Sequence, residues 1–247
     1  MGITVDEERY EKAKEVLARL DAYAAMEHLK RWLESVCMSA CIFGTERHAM
    51  RPILLEGAPG TGKTAASRLI AEALYAVGII PTANVVSCNS AELTSPYVGQ
   101  TYEKAMSIFD GAVGGVLFVD DAHLLCEASA FNMDVLRALI TFTEENRGKV
   151  AVILAGYEGT AGKLFSLDAG LGARTDVIKL RSLTTEECTS FLCTMLEGRA
   201  TVTPELEVLA TVYFREVCTK KTFANLREVR ALADHIAREM QAVQCAE

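Results

Sequence analysis

One eight-residue segment limits this chain to a small group of folds. It fits the pattern G-x-x-x-x-G-K-[ST] and consists of Gly57, Ala58, Pro59, Gly60, Thr61, Gly62, Lys63 and Thr64. The apolar run Pro52–Leu55 precedes the segment, and the helical pattern Ala65–Ala71 follows it. This order of strand, loop and helix is the context in which the pattern forms a phosphate-binding loop. Glycines let the backbone N–H groups turn toward a phosphate chain, and the helix offers the positive end of its dipole.

The polar side chains of this loop predict a site for ATP or GTP with Mg²⁺. Lys63 can reach the β- and γ-phosphates, and the hydroxyl of Thr64 can ligate the metal ion. The alternative is a chance glycine-rich turn, and the strand and helix patterns on either side argue against it. We therefore expect all eight residues to contact the nucleotide.

Five short apolar runs, most of them separated by helical patterns, predict a parallel sheet covered on both faces. The runs are Pro52–Leu55, Asn84–Cys88, Gly115–Val119, Val150–Ala155 and Val177–Leu180. Helical periodicity occupies Glu7–Arg19 and Ala22–Met38 before the first run, and Tyr102–Asp110 and Asn132–Glu144 between later ones. The predicted fold class is therefore α/β.

After Leu180 the pattern becomes purely helical. Ser182–Glu187 combines capping hydroxyls with acids, which is typical of a helix start. Three helical stretches follow, at Glu187–Glu197, Pro204–Thr219 and Leu226–Val243. The predicted organisation is an N-terminal helix over 1–19, a nucleotide-binding α/β domain with its N-terminal linker over 20–181, and a small helical lid domain over 182–247.

The apolar run Val116–Val119 ends in two consecutive acids, Asp120 and Asp121. A carboxylate at the C-terminal end of a buried strand, in a chain that also carries a phosphate-binding loop, is typical of the second half of a nucleotide-hydrolysis site. We expect Asp120 to hold Mg²⁺ through water and Asp121 to polarise the attacking water. Acids at strand ends are also common turn residues, and the phosphate loop upstream favours the catalytic interpretation.

The amino-acid composition limits the classes of partner that the chain is expected to bind and the compartment in which it is expected to work. Half of the 247 residues are hydrophobic, 23% are charged and the formal net charge is −8, which argues against an electrostatic nucleic-acid binder. No run of about 18 apolar residues predicts a membrane span, and the N-terminus lacks the pattern of a secretory signal peptide. The eight cysteines form no C-x-x-C pair. We expect free thiols in the cytoplasm or another reducing compartment, such as an organelle interior.

Four motifs together resemble one known family. They are Gly57–Thr64, Ser95–Thr101, Gly114–Ala122 and Val152–Tyr157. This set is similar to AAA+ ATPases of the CbxX/CfqX type, which include the red-type Rubisco activase CbbX, sporulation protein K and the ATPase of type VII secretion. The resemblance covers nearly the whole chain, since Leu20–Met26 looks like the family's N-terminal linker and Phe223–Arg230 like its lid-helix motif.

The resemblance implies roles for residues outside the phosphate loop. Arg227 would sense the γ-phosphate, and Arg174 would reach the γ-phosphate bound by a neighbouring subunit. Tyr97 and Val98 would lie on a loop facing a central pore and grip a polypeptide. The implied assembly is a homo- or hetero-oligomeric ring, a hexamer, that remodels a protein partner as ATP turns over.

Two departures from the family pattern concern catalysis. Where the family has Asp-Glu-Ala-Tyr, this chain has Asp120-Asp121-Ala122-His123. The shorter acid retracts its carboxylate by about 1.5 Å, and misplacement by about 1 Å can cost about a hundredfold in rate. His123 is expected to be an exposed residue at a helix start, with a compensating base as the alternative.

The other departure removes an arginine. The family's Asn-Pro-Gly-x-Arg-Ser-Arg stretch appears here as Asp168–Arg174, with Gly172 in place of the first arginine. Arg174 therefore remains as the single candidate finger, and Asp176 is its one obvious acidic neighbour in sequence. At the end of the fourth strand, where many AAA+ proteins carry a polar sensor, the chain reads Ala155-Gly156-Tyr157, and no particular residue is predicted to act there.

Three other functions share some of these features. Asp121 and Gly172 are compatible with a nucleotide-binding structural or regulatory subunit that hydrolyses ATP weakly. A clamp-loader-like protein that acts on nucleic acid is disfavoured by the acidic balance and by the loop at Tyr97. A monomeric small-molecule kinase would need neither the helical lid nor Arg174.

Overall fold

Five parallel strands form one sheet in the order β2-β3-β4-β1-β5. They are β1 (Ile53–Gly57), β2 (Val85–Asn89), β3 (Val116–Asp120), β4 (Ala151–Gly156) and β5 (Asp176–Leu180). In this computed structural model the structure describes residues 6–21, 23–45, 50–95, 97, 99–127 and 129–244. The order places β4 between β1 and β3, so the loop after β4 emerges between the end of β1 and the pair of acids.

The sheet belongs to the first of two compact units, which comprises the described residues up to Gly57 together with Lys63–Leu180. Its α-helices are α1 (Glu7–Leu20), α2 (Glu27–Phe43), α3 (Lys63–Ala76), α4 (Ser90–Leu93), α5 (Thr101–Asp110), α6 (Ala130–Glu145), α7 (Thr160–Leu167) and α8 (Ala169–Arg174). Short 3-10 helices occupy Ala24–Met26 and Ala122–Cys126.

Two hydrophobic clusters cover the two faces of the sheet. Along β1, Ile53 and Leu55 point into one cluster and Leu54 into the other. The first cluster draws on α1, α2 and α3, and the second on α5, α6 and α7. Both faces of the inner strands β1, β3 and β4 are buried, which explains the continuous apolar runs there. The edge strands β2 and β5 are more exposed and include Ser87 and Lys179.

The second unit comprises Ala58–Gly62 together with the chain from Arg181 to Gln244. It contains α9 (Thr185–Leu196), α10 (Pro204–Val217) and α11 (Leu226–Gln244). A capping box formed by Thr184 and Glu187 begins α9, and Pro204 occupies the first turn of α10. Leu192, Phe214 and Val229 are fully buried among these helices.

The predicted fold class is confirmed: a five-stranded parallel sheet lies between helices, and an all-helical region follows it. Among the described residues no helix has the length and apolarity that crossing a membrane requires. The sequence patterns missed three short helices, namely α4, α7 and α8, whereas the helix start expected at His123 is the 3-10 turn Ala122–Cys126. These segments are too short for helical periodicity, and α8 contains two glycines that disfavour a helix in isolation.

Candidate nucleotide-binding site

The C-terminal edge of the sheet gathers the candidate site of the first unit. Carboxyl ends of parallel strands meet at one edge of a sheet, and ligands of α/β proteins bind there. Gly57 ends β1, Asp120 ends β3, and Tyr157 follows β4 between them. The sheet order therefore brings residues that lie about a hundred positions apart in the chain to one edge.

Lys63, the first residue of α3, already lies against the start of the phosphate-binding loop. Its Nζ donates a hydrogen bond of 2.7 Å to the carbonyl oxygen of Gly57 and lies 5.4 Å from the centre of the Tyr157 ring. Thr64, the next residue, has an exposed side chain. An ammonium in this position can exchange a backbone carbonyl for phosphate oxygens without leaving the sheet edge.

The middle of the phosphate-binding loop belongs to the second unit, where backbone contacts fix its path. Asn225 donates through Nδ2 to the carbonyl oxygen of Pro59 at 3.0 Å, and the N–H of Leu226 donates to the carbonyl oxygen of Gly60 at 3.2 Å. Gly60 has a φ of +74°, and a Cβ atom there would lie 1.9 Å from the carbonyl oxygen of Ala224. Only glycine fits this position, so the close approach requires the second glycine of the motif.

Asn225 lies next to this loop, within the lid-helix motif Phe223–Arg230, and no role was predicted for it from the sequence. It is fully buried and adopts a left-handed backbone conformation with a φ of 50°. Its side-chain oxygen accepts a 2.8 Å hydrogen bond from the N–H of Leu183, while its amide holds Pro59. The signal in the sequence is an asparagine directly before a helix, since asparagine tolerates positive φ better than most residues.

The two acids at the end of β3 have a strained and tightly held backbone. Asp121 has a φ of 53°, in the left-handed region, and its N–H donates to Oδ1 of Asp120 at 2.9 Å. The Ser90 hydroxyl, on the short helix after β2, lies 3.2 Å from the carbonyl oxygen of Asp120 and 2.9 Å from that of Asp121. Strain of this kind persists only where the surroundings over-determine it, and it is concentrated at functional sites.

The oxygen donors at this edge fit Mg²⁺ better than a softer metal. Thr64 offers a hydroxyl and Asp120 a carboxylate, the hard ligands that Mg²⁺ takes together with phosphate oxygens and water. Within the described part of the chain no group of three or more His, Cys, Asp and Glu side chains could hold a metal by itself. A protein-only metal cage is therefore not the arrangement that these residues provide.

Glu56 is a second residue that the sequence analysis missed. Its side chain is only 3% exposed, and Oε1 accepts a 2.6 Å hydrogen bond from the N–H of Ala161 in the first turn of α7. The Thr160 hydroxyl donates to the carbonyl oxygen of Tyr157 at 2.7 Å and closes the intervening turn. A carboxylate at a helix N-terminus is favourable, so Glu56 fixes the turn that carries Tyr157.

His123 differs from its expected exposed position. Its side chain is 25% exposed, and its ring packs on Tyr157 with the ring centres 4.2 Å apart and an interplanar angle of 34°. Its Nδ1 lies 3.9 Å from Oδ1 of Asp121, too far for a hydrogen bond. His123 does lie in the first turn of a short helix, the 3-10 turn Ala122–Cys126, but its expected exposure is wrong, because this turn folds the imidazole back over Tyr157.

Arg174 ends α8 and has a different partner from the one expected. Its guanidinium pairs with Glu144 of α6, and both side chains are 56% exposed. Asp176 instead contacts Arg51 at 3.2 Å and accepts a 3.4 Å hydrogen bond from Nε1 of Trp32. Proximity in sequence misled the assignment because β5 turns the side chain of Asp176 toward residues that precede β1.

The guanidinium of Arg51 binds the C-terminal end of α8. Its Nε donates to the carbonyl oxygen of Arg174 at 3.1 Å, and a terminal nitrogen donates to that of Ala173 at 2.7 Å. A guanidinium on the last carbonyls of a helix satisfies acceptors that the helix itself leaves open. Beside it lies a pocket of about 650 Å³, lined among others by Glu144, Arg147 and Arg174, which leaves the Arg174 side chain room to move.

Close packing against α7 explains why position 172 is a glycine. A Cβ atom at this position would lie 2.8 and 2.9 Å from Cγ and Cβ of Phe165 on α7. An arginine there cannot be accommodated unless Phe165 moves. The absence of the first arginine of the family stretch is therefore coupled to the close packing of α8 on α7.

The remaining candidate residues are exposed. Arg227 is the second residue of α11, and its side chain faces solvent in the second unit. Tyr97, in the loop between α4 and α5, is 67% exposed. Its N–H donates to the Ser95 hydroxyl at 3.3 Å, which fixes the backbone but leaves the ring free of the core. Val98 lies outside the described residues.

The described cysteines are free thiols. Burial raises the pKa of the Cys37 thiol to about 12 and that of the Cys88 thiol to about 12. A thiol with such a raised pKa is protonated at neutral pH and unreactive. Both Cys88 and Cys126 have apolar neighbours in the sequence, which predicts core positions for them; Cys88 is buried, whereas Cys126 is only partly buried.

Comparisons with known proteins identify the fold and the family. Residues 53–181 match the ATPase family associated with various cellular activities (AAA). The AAA domain of FIGL-1, solved with ADP, superposes with a TM-score of 0.56 at 20% identity, covering 87% of this chain and 76% of that one. At this identity the likeness shows the fold alone.

Curated relatives narrow the family further. The chain is 31% identical to the chloroplastic ribulose bisphosphate carboxylase/oxygenase activase of Cyanidioschyzon merolae over 75% of its own length and 65% of that protein's. It is 27% identical to the stage V sporulation protein K of Bacillus subtilis, over 65% of this chain and 53% of that one. The chain thus spans a little under two thirds of the first relative and about half of the second. It belongs to the AAA family of ATPases, and the curated relatives that it matches are of the CbxX/CfqX type indicated by its motifs.

Proposed function

We propose that this chain is an Mg²⁺-dependent ATPase module that acts in a ring and remodels a protein partner by pulling it through a central pore. The observation that carries the proposal is the sheet edge itself. There Lys63, at the start of α3, lies against the end of β1, and Asp120 and Asp121 lie at the end of β3, where they can act together on one bound nucleotide. The relatives named as activase and sporulation protein support the class of activity.

Different residues of this chain have different roles in ATP hydrolysis. Lys63 exchanges the carbonyl oxygen of Gly57 for the β- and γ-phosphates, and the loop N–H groups bind the phosphate oxygens. Thr64 and Asp120 hold Mg²⁺, which neutralises charge on the phosphates when bound. Asp121 orients the attacking water, and Arg227 senses the γ-phosphate.

Arg174 is the residue that makes a ring necessary. Its side chain is exposed and its ion-pair partner, Glu144, is equally exposed, so the pair costs little to separate. We propose that Arg174 reaches the γ-phosphate bound by a second copy of this chain or by a related subunit. Arginine fingers supplied in this way are worth about 10³–10⁵ in rate.

Tyr97 is the proposed contact for the protein partner. An aromatic side chain 67% exposed at the tip of a loop has no role in the core of this chain. On a pore-facing loop it would grip an extended polypeptide regardless of its sequence, together with Val98. We place the module in the cytoplasm or another reducing compartment, in keeping with its free thiols.

A second function has observations in its favour. Asp121 is one methylene shorter than the family's glutamate, and Gly172 replaces one of two arginines. Both departures suit an ATP-binding regulatory or structural subunit of a hetero-oligomeric ring that hydrolyses ATP weakly.

Steady-state hydrolysis combined with mass measurement separates these functions. For the remodelling ATPase we expect specific activity to rise with protein concentration and an ATP-loaded sample to exceed the mass of a monomer. Asp120→Ala should lose Mg²⁺-dependent hydrolysis. Tight ATP binding with no turnover at any concentration would favour the regulatory subunit, and concentration-independent turnover by a monomer would exclude the ring.

A further inference from the structure

We propose that His123 is a positioning residue that holds the carboxylate of Asp121 against the attacking water. The proposal rests on the proposed ATPase function and names a residue for which neither the family match nor the motifs assign a role. In the sequence, Asp121 and His123 are two separate differences from the family's Asp-Glu-Ala-Tyr pattern. In the fold their side chains lie next to each other.

The backbone of Asp121 leaves little freedom to extend its short side chain. Its N–H is committed to Asp120 and its carbonyl oxygen accepts from the Ser90 hydroxyl, with φ at 53°. A fixed backbone cannot move forward to restore the reach that a glutamate would have. The aim of the carboxylate therefore depends on a second group that can bind one of its oxygens.

His123 supplies the missing donor. Among all buried side-chain nitrogens and oxygens of the described residues, Nδ1 of His123 alone has no hydrogen-bond partner. It lies 3.9 Å from Oδ1 of Asp121. Closing that gap to hydrogen-bond length needs a movement of about 1 Å, which would satisfy the buried nitrogen and fix the carboxylate in one step.

Tyr157 makes the imidazole a rigid platform. The His123 ring packs on the Tyr157 ring, and the turn that carries Tyr157 is held by Thr160 and Glu56. The centre of the Tyr157 ring also lies 5.4 Å from Nζ of Lys63. The stack thus connects the phosphate-binding lysine to the group that aims Asp121.

Two substitutions separate the hydrogen bond from the packing. His123→Phe keeps a ring on Tyr157 and removes Nδ1, whereas His123→Asn keeps an N–H donor near the position of Nδ1. We expect His123→Phe to lower kcat for ATP hydrolysis by about tenfold to a hundredfold, with ATP affinity in calorimetry changed less than about twofold. His123→Asn should recover a large part of that loss. Equal kcat values for the two variants would overturn the proposal.

The side-chain length of Asp121 provides the decisive control. Asp121→Glu should preserve or raise turnover, because the longer acid reaches the water without help. In that background His123→Phe should change kcat by less than about twofold, and the non-additivity measures the coupling. The same loss in both backgrounds would assign His123 a merely structural role and overturn the proposal, and thermal unfolding of each variant checks the fold.

Nitrogen NMR of the imidazole tests the pair without turnover. With the non-hydrolysable analogue AMPPCP and Mg²⁺ bound, the Nδ1 signal of His123 should differ between the parent and Asp121→Ala. An unchanged signal would overturn the proposal. If the parent binds ATP without hydrolysing it, the proposed ATPase function fails, and this measurement still decides whether the pair exists.

Discussion

The end of β3 and the end of α8 both carry candidate catalytic side chains, and they are held in opposite ways. Asp121 has a strained backbone with both peptide groups hydrogen-bonded inside its own unit. Arg174 has an anchored backbone, but its side chain is 56% exposed and pairs with Glu144, an equally exposed acid. The first arrangement is pre-organised within one chain, whereas the second is free to exchange its partner. Under the proposed ring function, this difference separates the side chain that would act within its own chain, Asp121, from the one that would act on a neighbouring copy, Arg174.

The largest expected effect comes from removing a nucleotide-binding group of the sheet edge that carries Asp121. Lys63→Ala should abolish ATP binding, because the ammonium is the point charge that the loop offers to the β- and γ-phosphates. Isothermal calorimetry with ATP and Mg²⁺ measures this directly, and Lys149→Ala, an exposed lysine away from the edge, serves as the control. Unchanged affinity in Lys63→Ala would mean that the nucleotide binds elsewhere.

Arg174→Ala tests whether the exposed side chain at the end of α8 contributes to ATP hydrolysis. We expect kcat to fall by about 10³-fold or more with ATP affinity nearly unchanged. Mixing this variant with Lys63→Ala protein should restore part of the activity, because the two changes damage opposite sides of one shared site. If the Arg174→Ala variant were monomeric and still hydrolysed ATP at the parent rate, Arg174 would have no catalytic role, and the contrast with Asp121 would have no functional meaning.

Gly172→Ala probes the packing that supports the finger helix. The new Cβ would meet Phe165 at 2.8 Å, so we expect a loss of about 1–3 kcal/mol in the free energy of unfolding. Gly162→Ala is the matched control, since a Cβ in that position of α7 meets nothing within 4 Å. Chemical denaturation measures both, and equal effects would show that Phe165 yields easily and that Gly172 is not required for packing.

The smallest effect concerns the ion pair that holds Arg174 at rest. Because both partners are exposed, Glu144→Gln should change the free energy of unfolding by less than about 0.5 kcal/mol. Turnover at low protein concentration should stay equal or rise, since Arg174 is released for the neighbouring site. A marked fall in kcat would show that Glu144 itself positions the finger, and that the pair is less exchangeable than its exposure indicates.

Much of the fold could be predicted because its signals are local and repeated. The five strands are continuous apolar runs, and the long helices carry their own periodicity and caps. The predicted last helix, Leu226–Val243, differs from α11 by one residue. The short segments α7 and α8 could not be found in this way because their stability comes from contacts such as Glu56 to Ala161 and Gly172 to Phe165. The domain limits at 19/20 and 181/182 stay predictions, as do the roles of the individual site residues.

The sequence by itself determined the class of site. A phosphate-binding loop needs glycines, a lysine and a hydroxyl at fixed spacing along one turn, and that spacing is visible without any tertiary information. The tertiary structure decided the partners of His123, Tyr157 and Arg174. Their contacts come from strands and helices that are distant in the chain, and only the order β3-β4-β1 brings Tyr157 between Lys63 and His123. Local spacing cannot encode such a meeting, because it depends on which strands the whole hydrophobic core places side by side.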